Sequence, residues 1–89
     1  MSTDLQTAFD KASGDVTKLS KAPDNLEKLR LYSLFKQASK GDCMGDRPGM
    51  LDMVGRAKYD AWKGLAGTTQ DEAKQLYIDL VTELQEADK

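Results

Sequence analysis

The sequence predicts an all-α protein, a four-helix bundle with a long loop between helices two and three. Three observations carry that prediction. Apolar residues recur at intervals of three and four in four successive segments. Three of these segments open on Thr or Asp with Gln or Glu three positions later, a pattern in which two side chains satisfy each other's orphan backbone donors. No stretch alternates as a half-buried strand does, and no internal repeat or low-complexity segment competes.

In helix one, Leu5, Phe9, Ala12, Val16 and Leu19 form the stripe, Thr3 with Gln6 is a candidate capping box, and closure is expected near Pro23. Asp24 and Glu27 repeat the box directly after that proline. Helix two then runs through Leu26, Leu29, Leu31, Leu34 and Ala38 to Gly41, a candidate left-handed cap, and its apolar residues occupy more than one side. Lys40 to Met50 holds three glycines and a proline without periodicity, which reads as a long connection of the kind that is often functional in small domains. Helix three is expected to begin near Leu51 to Met53, with an inward stripe of Val54, Ala57, Lys58, Ala61, Trp62 and Leu65, and to end at Gly67. Thr69 and Glu72 open helix four, whose stripe of Ala73, Leu76, Tyr77, Leu80, Val81 and Leu84 is the most regular of the set.

Eighty-nine residues allow one domain, read as 1–89, with a single core. An apolar fraction of 39% beside 31% charged residues belongs to a globular chain, and no run approaches the roughly 18 apolar residues that span a bilayer. The opening MSTDLQ has neither the basic nor the apolar part of a secretory signal, so a cytoplasmic protein is expected. Cys43 is the only cysteine and there is no histidine, which excludes an internal disulfide and leaves no metal site of the usual spacing.

The net charge of −2 conceals a basic middle. Lys28 to Gly64 carries eight Lys/Arg against four Asp/Glu, while both flanks are acidic. Within this region Tyr32, Phe35 and Lys36 share a helix face, offering aromatic surface and an ammonium together, which suits a flat, phosphorylated ligand. Each residue also has a structural reading. Trp62 reads as core, the tip of Tyr77 as reaching water from a buried ring, Lys58 as a stem along the core edge, and Tyr32 with Lys36 as an ordinary surface pair.

A resemblance adds what spacing does not supply. Phe9 with Ala12, Val16 and Leu19, then Pro23, LYSLFKQASKGD from Leu31 to Asp42, RPGMLD from Arg47 to Asp52, AKYDAW from Ala57 to Trp62, and Tyr77 with Ile78 resemble, in this order and at these separations, the acyl-CoA-binding protein family over nearly the whole chain. The resemblance implies an up-down-down-up bundle that binds one fatty acyl-coenzyme A thioester, of medium to long chain, as an intracellular carrier and pool former. It implies that Tyr32, Lys36 and Lys58 meet the ribose 3′-phosphate and nucleotide, with Tyr77 at the same head group. Phe35 fills an aromatic position where the family often has tyrosine, and Tyr59 stands where tryptophan is frequent. Thr17 stands where helix one often has a lysine that reaches the site; Lys18, about 100° away on an ideal helix, does not inherit that role. Leu29 and its neighbours match positions that contact the acyl chain.

A carrier accounts for the basic middle, Lys58 and the family text together. An enzyme is not expected, because histidine is absent and Cys43 sits in a Gly-rich loop without an evident base. The alternative is a helical interaction module whose aromatic and basic face binds a protein or an acidic membrane surface. No cofactor and no nucleic-acid partner is expected. The carrier reading implies a monomer that meets acyl-CoA-using enzymes and membranes transiently.

Overall fold

The computed structural model describes the backbone of residues 2–88 and the side chains of residues 4–88. Four α-helices follow one another, α1 (Ser2–Asp15), α2 (Asn25–Lys40), α3 (Met53–Lys63) and α4 (Gln70–Ala87), and among the described residues there is no strand. They run up-down-down-up. None of them is long and apolar enough to cross a membrane.

Capping sets the starts of α2 and α4. Asp24 Oδ1 accepts from the Glu27 amide at 2.8 Å while Glu27 Oε1 accepts from the Asp24 amide at 3.0 Å. Thr69 and Glu72 make the same exchange, both bonds at 3.0 Å. Both expected boxes are therefore formed, and each satisfies two backbone groups that a helix start leaves open. The box expected of Thr3 with Gln6 falls on a side chain outside the described ones; Gln6 Nε2 donates to Asp10 Oδ1 at 2.9 Å. At the other end of α2, Gly41 has φ 82° but ψ −151°, so its cap is not the left-handed one expected; this region is open essentially to glycine alone.

Helix one closes earlier than Pro23 suggested. After Asp15 it tightens into a 3₁₀ turn, Val16–Lys18, and Leu19 is already extended. Local hydroxyls favour this exit: Ser13 Oγ donates to the Asp10 carbonyl at 2.8 Å and Thr17 Oγ1 to the Gly14 carbonyl at 2.7 Å, bonds that compete with helix propagation. The extended chain is then tied to the end of α4, where the Asp88 carboxylate accepts from the Ser20 amide and hydroxyl and from the Lys21 amide at 2.9 to 3.1 Å.

The core joins three helices. Phe9 and Ala12 of α1, Leu31, Leu34 and Ala38 of α2, and Ala73, Tyr77, Leu80 and Val81 of α4 form one buried cluster, with α4 packed between α1 and α2. Among the described helices α3 packs on α2 alone, and it buries no residue. Its expected inward stripe is accordingly corrected: Ala57, Ala61 and Trp62 are half-buried, Lys58 is exposed, and Val54 is 67% exposed, because these residues meet one neighbour instead of a core, while half-buried Leu65, beyond the helix end, does pack against the core. The helix also ends at Lys63, and i→i+3 turns carry the chain from Trp62 through Gly67, with φ 91°, to Thr68 at the entrance to α4.

Polar ties hold α3 in place. Asp52 caps it by accepting from the Gly55 amide at 2.9 Å. Arg47 grips Asp60 through two parallel bonds, Nε to Oδ1 at 2.9 Å and Nη2 to Oδ2 at 2.7 Å. Arg56 Nε donates to the Pro48 carbonyl, Tyr59 Oη to the Gly45 carbonyl, and Trp62 Nε1 to the Gly41 carbonyl, at 2.8 to 2.9 Å. Between α2 and α4, fully buried Gln37 donates to Asp42 Oδ1 at 2.8 Å and to the Thr68 carbonyl at 2.7 Å, and Asp42 also accepts from the Gly67 amide.

Candidate functional site

Because α3 leans on α2 without entering the core, the two helices leave a groove of about 350 Å³ between them. Asn25, Lys28, Leu29 and Tyr32 form its α2 wall; Val54, Ala57 and Lys58 form its α3 wall. Positions 25, 28, 29 and 32, like 54, 57 and 58, are spaced by three and four, so each wall is one helix face.

Tyr32 stands at the end of this groove between two ammonium groups. Lys58 Nζ lies 5.2 Å from the ring centroid and Lys36 Nζ 5.9 Å from it, within reach of the ring quadrupole. Lys36 Nζ also lies 5.5 Å from the centroid of Trp62. Among the described residues neither lysine is in an ion pair. Two positive charges from different helices thus meet over aromatic rings without a carboxylate to neutralise them. Such a place attracts a multiply charged anion that also has a flat face.

The trio expected on one face of α2 divides. Tyr32 and Lys36 stay together at the groove, whereas the Phe35 ring turns towards α1 and α4, stacking on Phe9 at 5.4 Å between centroids and meeting Tyr77 edge-on at 5.9 Å. Phe35 remains 39% exposed, so part of that ring is still presented to solvent. Tyr77 is only 4% exposed and also packs edge-on against Phe9 at 5.1 Å. Burial pushes the Tyr77 hydroxyl's pKa up, since the phenolate would lose its water.

Leu29 lies in the groove wall. Thr17 and Tyr59 are engaged elsewhere: their hydroxyls donate to the carbonyls of Gly14 and Gly45. Trp62, expected in the core, is half-buried, with its ring near Lys36 and its N–H donating to the Gly41 carbonyl. Asn25 and Lys28 are wall residues that the sequence does not mark by chemistry, although the four-residue steps from Asn25 to Leu29 and from Lys28 to Tyr32 carried the signal.

Electrostatics at the margins is structural. The Arg47 guanidinium holds the Asp60 carboxyl below the usual carboxylate range and is itself raised by that bond. Bonds from Gln37, and then from the Gly67 amide, lower Asp42 in the same way.

A model of the family described as acyl CoA binding protein matches residues 6–81. Acyl-CoA-binding protein homolog 1 of Caenorhabditis elegans is 46% identical over 80 residues, covering 90% of this chain and 93% of the nematode protein. Enoyl-CoA delta isomerase 2 of Rattus norvegicus is 46% identical over 79 residues, and there the chain spans only 20% of the relative's length. The crystal structure of Acyl-CoA-Binding Protein 2 from Oryza sativa superimposes with a TM-score of 0.92 at 37% identity, covering 97% of this chain and 94% of that one. With a family model over most of its length and a full-length relative of the same description, the chain belongs to the acyl-CoA-binding protein family.

Proposed function

We propose that the protein binds a fatty acyl-coenzyme A thioester with its tail in the α2–α3 groove and its nucleotide at Tyr32, Lys36 and Lys58. The observation that carries this reading is the meeting of two ammonium groups, unpaired among the described residues, over one aromatic ring at the end of an apolar groove. Lysine supplies compact charge to the 3′-phosphate and diphosphate, and bonds between ionised partners are about twice as strong as neutral ones. Adenine offers a face to Tyr32, a kind of stacking worth about 1–3 kcal/mol per base. The groove, at about 350 Å³, is at the low end of ligand cavities of roughly 300–1,000 Å³, so it suits the tail while the head group lies at its mouth. At about 0.8 kcal/mol per buried methylene, the tail adds affinity until the groove is filled, less the cost of ordering it.

Phe35 and Tyr77 fit a supporting position beside the head group, where the exposed part of Phe35 and the Tyr77 hydroxyl are what a ligand would meet. Thr17 and Tyr59 belong to the proposed site by position only, each with its hydroxyl committed to the backbone. The protein works as a carrier and not as an enzyme, in the cytoplasm and as a monomer. It uses no cofactor, binds no nucleic acid, and passes its ligand to acyl-CoA-using enzymes and membranes.

Calorimetric titration with palmitoyl-CoA, free coenzyme A and palmitate tests the reading. Only the thioester binds tightly, and a series of chain lengths rises in affinity and then levels off. Equal affinity for palmitate and palmitoyl-CoA overturns the head-group site, and an affinity independent of chain length overturns tail burial.

An interaction module remains a second reading because Met50, Leu51, Met53 and Val54 are exposed side by side near the groove, Leu51 completely. Tight binding to a protein or to anionic vesicles, unchanged by saturating acyl-CoA, would favour it.

A further inference from the structure

The groove is apolar along most of its wall, but the α2 residues that line it farthest from Tyr32 carry polar heads. Asn25 and Lys28 line it, one and two turns of α2 from Tyr32, a span of about 6 to 10 Å along the helix at 1.5 Å per residue. A groove built only for a hydrocarbon tail would continue the apolar wall of Leu29, Val54 and Ala57 to its far end. Here the residues at those positions are a lysine and an asparagine, whose stems can line the wall while their heads reach its rim.

Neither group is tied up locally. The carboxylates nearest in sequence, Asp24 and Glu27, accept from each other's backbone amides in the capping box. Among the described residues Lys28 makes no ion pair, and no hydrogen bond engages the Asn25 side chain. The ammonium of Lys28 and the amide of Asn25 are thus available to whatever reaches the far end of the groove, and an anion gains from both.

We propose that Lys28, assisted by Asn25, is a specificity residue for the distal end of the acyl chain, and that the groove accepts thioesters whose tail ends in a carboxylate as well as plain fatty tails. This inference rests on the acyl-CoA reading of the same groove. A terminal carboxylate brought beside Leu29 and Val54 loses part of its hydration, and the Lys28 ammonium offsets that loss. A methyl terminus gains nothing from it.

The test compares octanoyl-CoA with suberoyl-CoA, its ω-carboxylated counterpart, by calorimetric titration of the wild-type chain, Lys28→Met and Lys28→Arg. Lys28 is exposed, so both variants are expected to fold, and their melting curves check this. Lys28→Met shifts the ratio of the two dissociation constants by about two- to five-fold against suberoyl-CoA, the range for a solvent-exposed ion pair. Lys28→Arg keeps the wild-type ratio, and added salt reduces the wild-type preference towards that of Lys28→Met. If both thioesters bind and Lys28→Met leaves their ratio unchanged, the distal specificity is refuted while the acyl-CoA site stands. If neither thioester nor palmitoyl-CoA binds the wild-type chain, the reading of the groove fails and this inference with it.

Discussion

Replacing Lys58 or Lys36 by alanine tests the head-group site most directly. Lys58 Nζ lies 5.2 Å and Lys36 Nζ 5.9 Å from the centre of the Tyr32 ring, on helices that do not share a core, so both converge on one small volume without holding the fold together. A hydrogen bond to a charged group contributes about 1.5–3 kcal/mol. At 1.4 kcal/mol per factor of ten, each substitution weakens acyl-CoA binding by roughly 10- to 150-fold. The double variant is expected to lose less than the product, because in the proposed binding mode the two ammonium groups over one ring meet the same phosphate and their effects do not add. Without ligand the cost is a cation–π contact of about 0.5–1 kcal/mol. That corresponds to a fall in melting temperature of roughly 2–8 °C for a domain of this size. The assay is calorimetric titration with palmitoyl-CoA and with its dephospho analogue lacking the 3′-phosphate, beside thermal melting of each apo variant. Affinity for palmitoyl-CoA falls far more than affinity for the dephospho analogue. Equal losses on the two ligands, or a melting temperature that collapses while affinity persists, would refute the assignment.

Other consequences are equally measurable. Tyr32→Phe keeps the ring and removes the hydroxyl, so acyl-CoA affinity falls by about 0.5–3 kcal/mol with little change in apo melting temperature; the reverse pattern makes the hydroxyl a structural group. At Gly55 an added Cβ would run into the Asp52 carboxylate that caps α3. Loss of the cap, about 1 kcal/mol, then cancels the similar helix-propensity gain of alanine over glycine. In an Asp52→Ala background Gly55→Ala should therefore stabilise, and denaturant midpoints showing the same effect in both backgrounds would exclude the clash. Asp42, lowered by Gln37 and the Gly67 amide, contributes stability that is complete above the ordinary aspartate range. It is lost as pH falls through the lower folded value. The urea midpoint of wild type should accordingly drop more between pH 7 and pH 3 than that of Asp42→Asn, and parallel drops would remove Asp42 from the account.

Much of the bundle was legible because its signals are local. The capping pairs Asp24–Glu27 and Thr69–Glu72 lie three residues apart, and both form as the sequence predicts. The apolar residues on two sides of α2 were equally readable: Leu31, Leu34 and Ala38 face the core while Leu29 and Tyr32 face the groove. Periodicity misled at α3, since a stripe tells which face is apolar but not how many neighbours cover it. The end of α1 was misplaced for a related reason. Pro23 is a conspicuous breaker, but the hydroxyls of Ser13 and Thr17 already bond to backbone carbonyls several residues earlier. In the site, the four-residue step from Tyr32 to Lys36 is local, whereas the approach of Lys58 depends on the register of two helices, which the family resemblance supplied and spacing did not. Arg47–Asp60, Trp62–Gly41 and Gln37–Thr68 join positions 13, 21 and 31 residues apart, and no local pattern encodes them.

Those long-range ties explain why a chain this short can keep an open groove beside a sealed core. A third helix packed into the core would fill the space against α2; one held by nothing would close on it or drift away. Here the Arg47–Asp60 pair, the Tyr59 and Trp62 bonds to loop carbonyls, and the unusual backbone of Gly41 fix α3 at a distance, using polar contacts with the 41–52 connection. Surface hydrogen bonds thus hold α3 beside the groove, while Phe9, Leu34, Tyr77 and Leu80 belong to the buried cluster on the other side of α2. With the two separate, substitutions at the wall residues Lys28, Leu29, Val54 and Ala57 are expected to leave the bundle beneath them intact. A groove wall drawn from the core would tie every change of its lining to a loss of folding free energy.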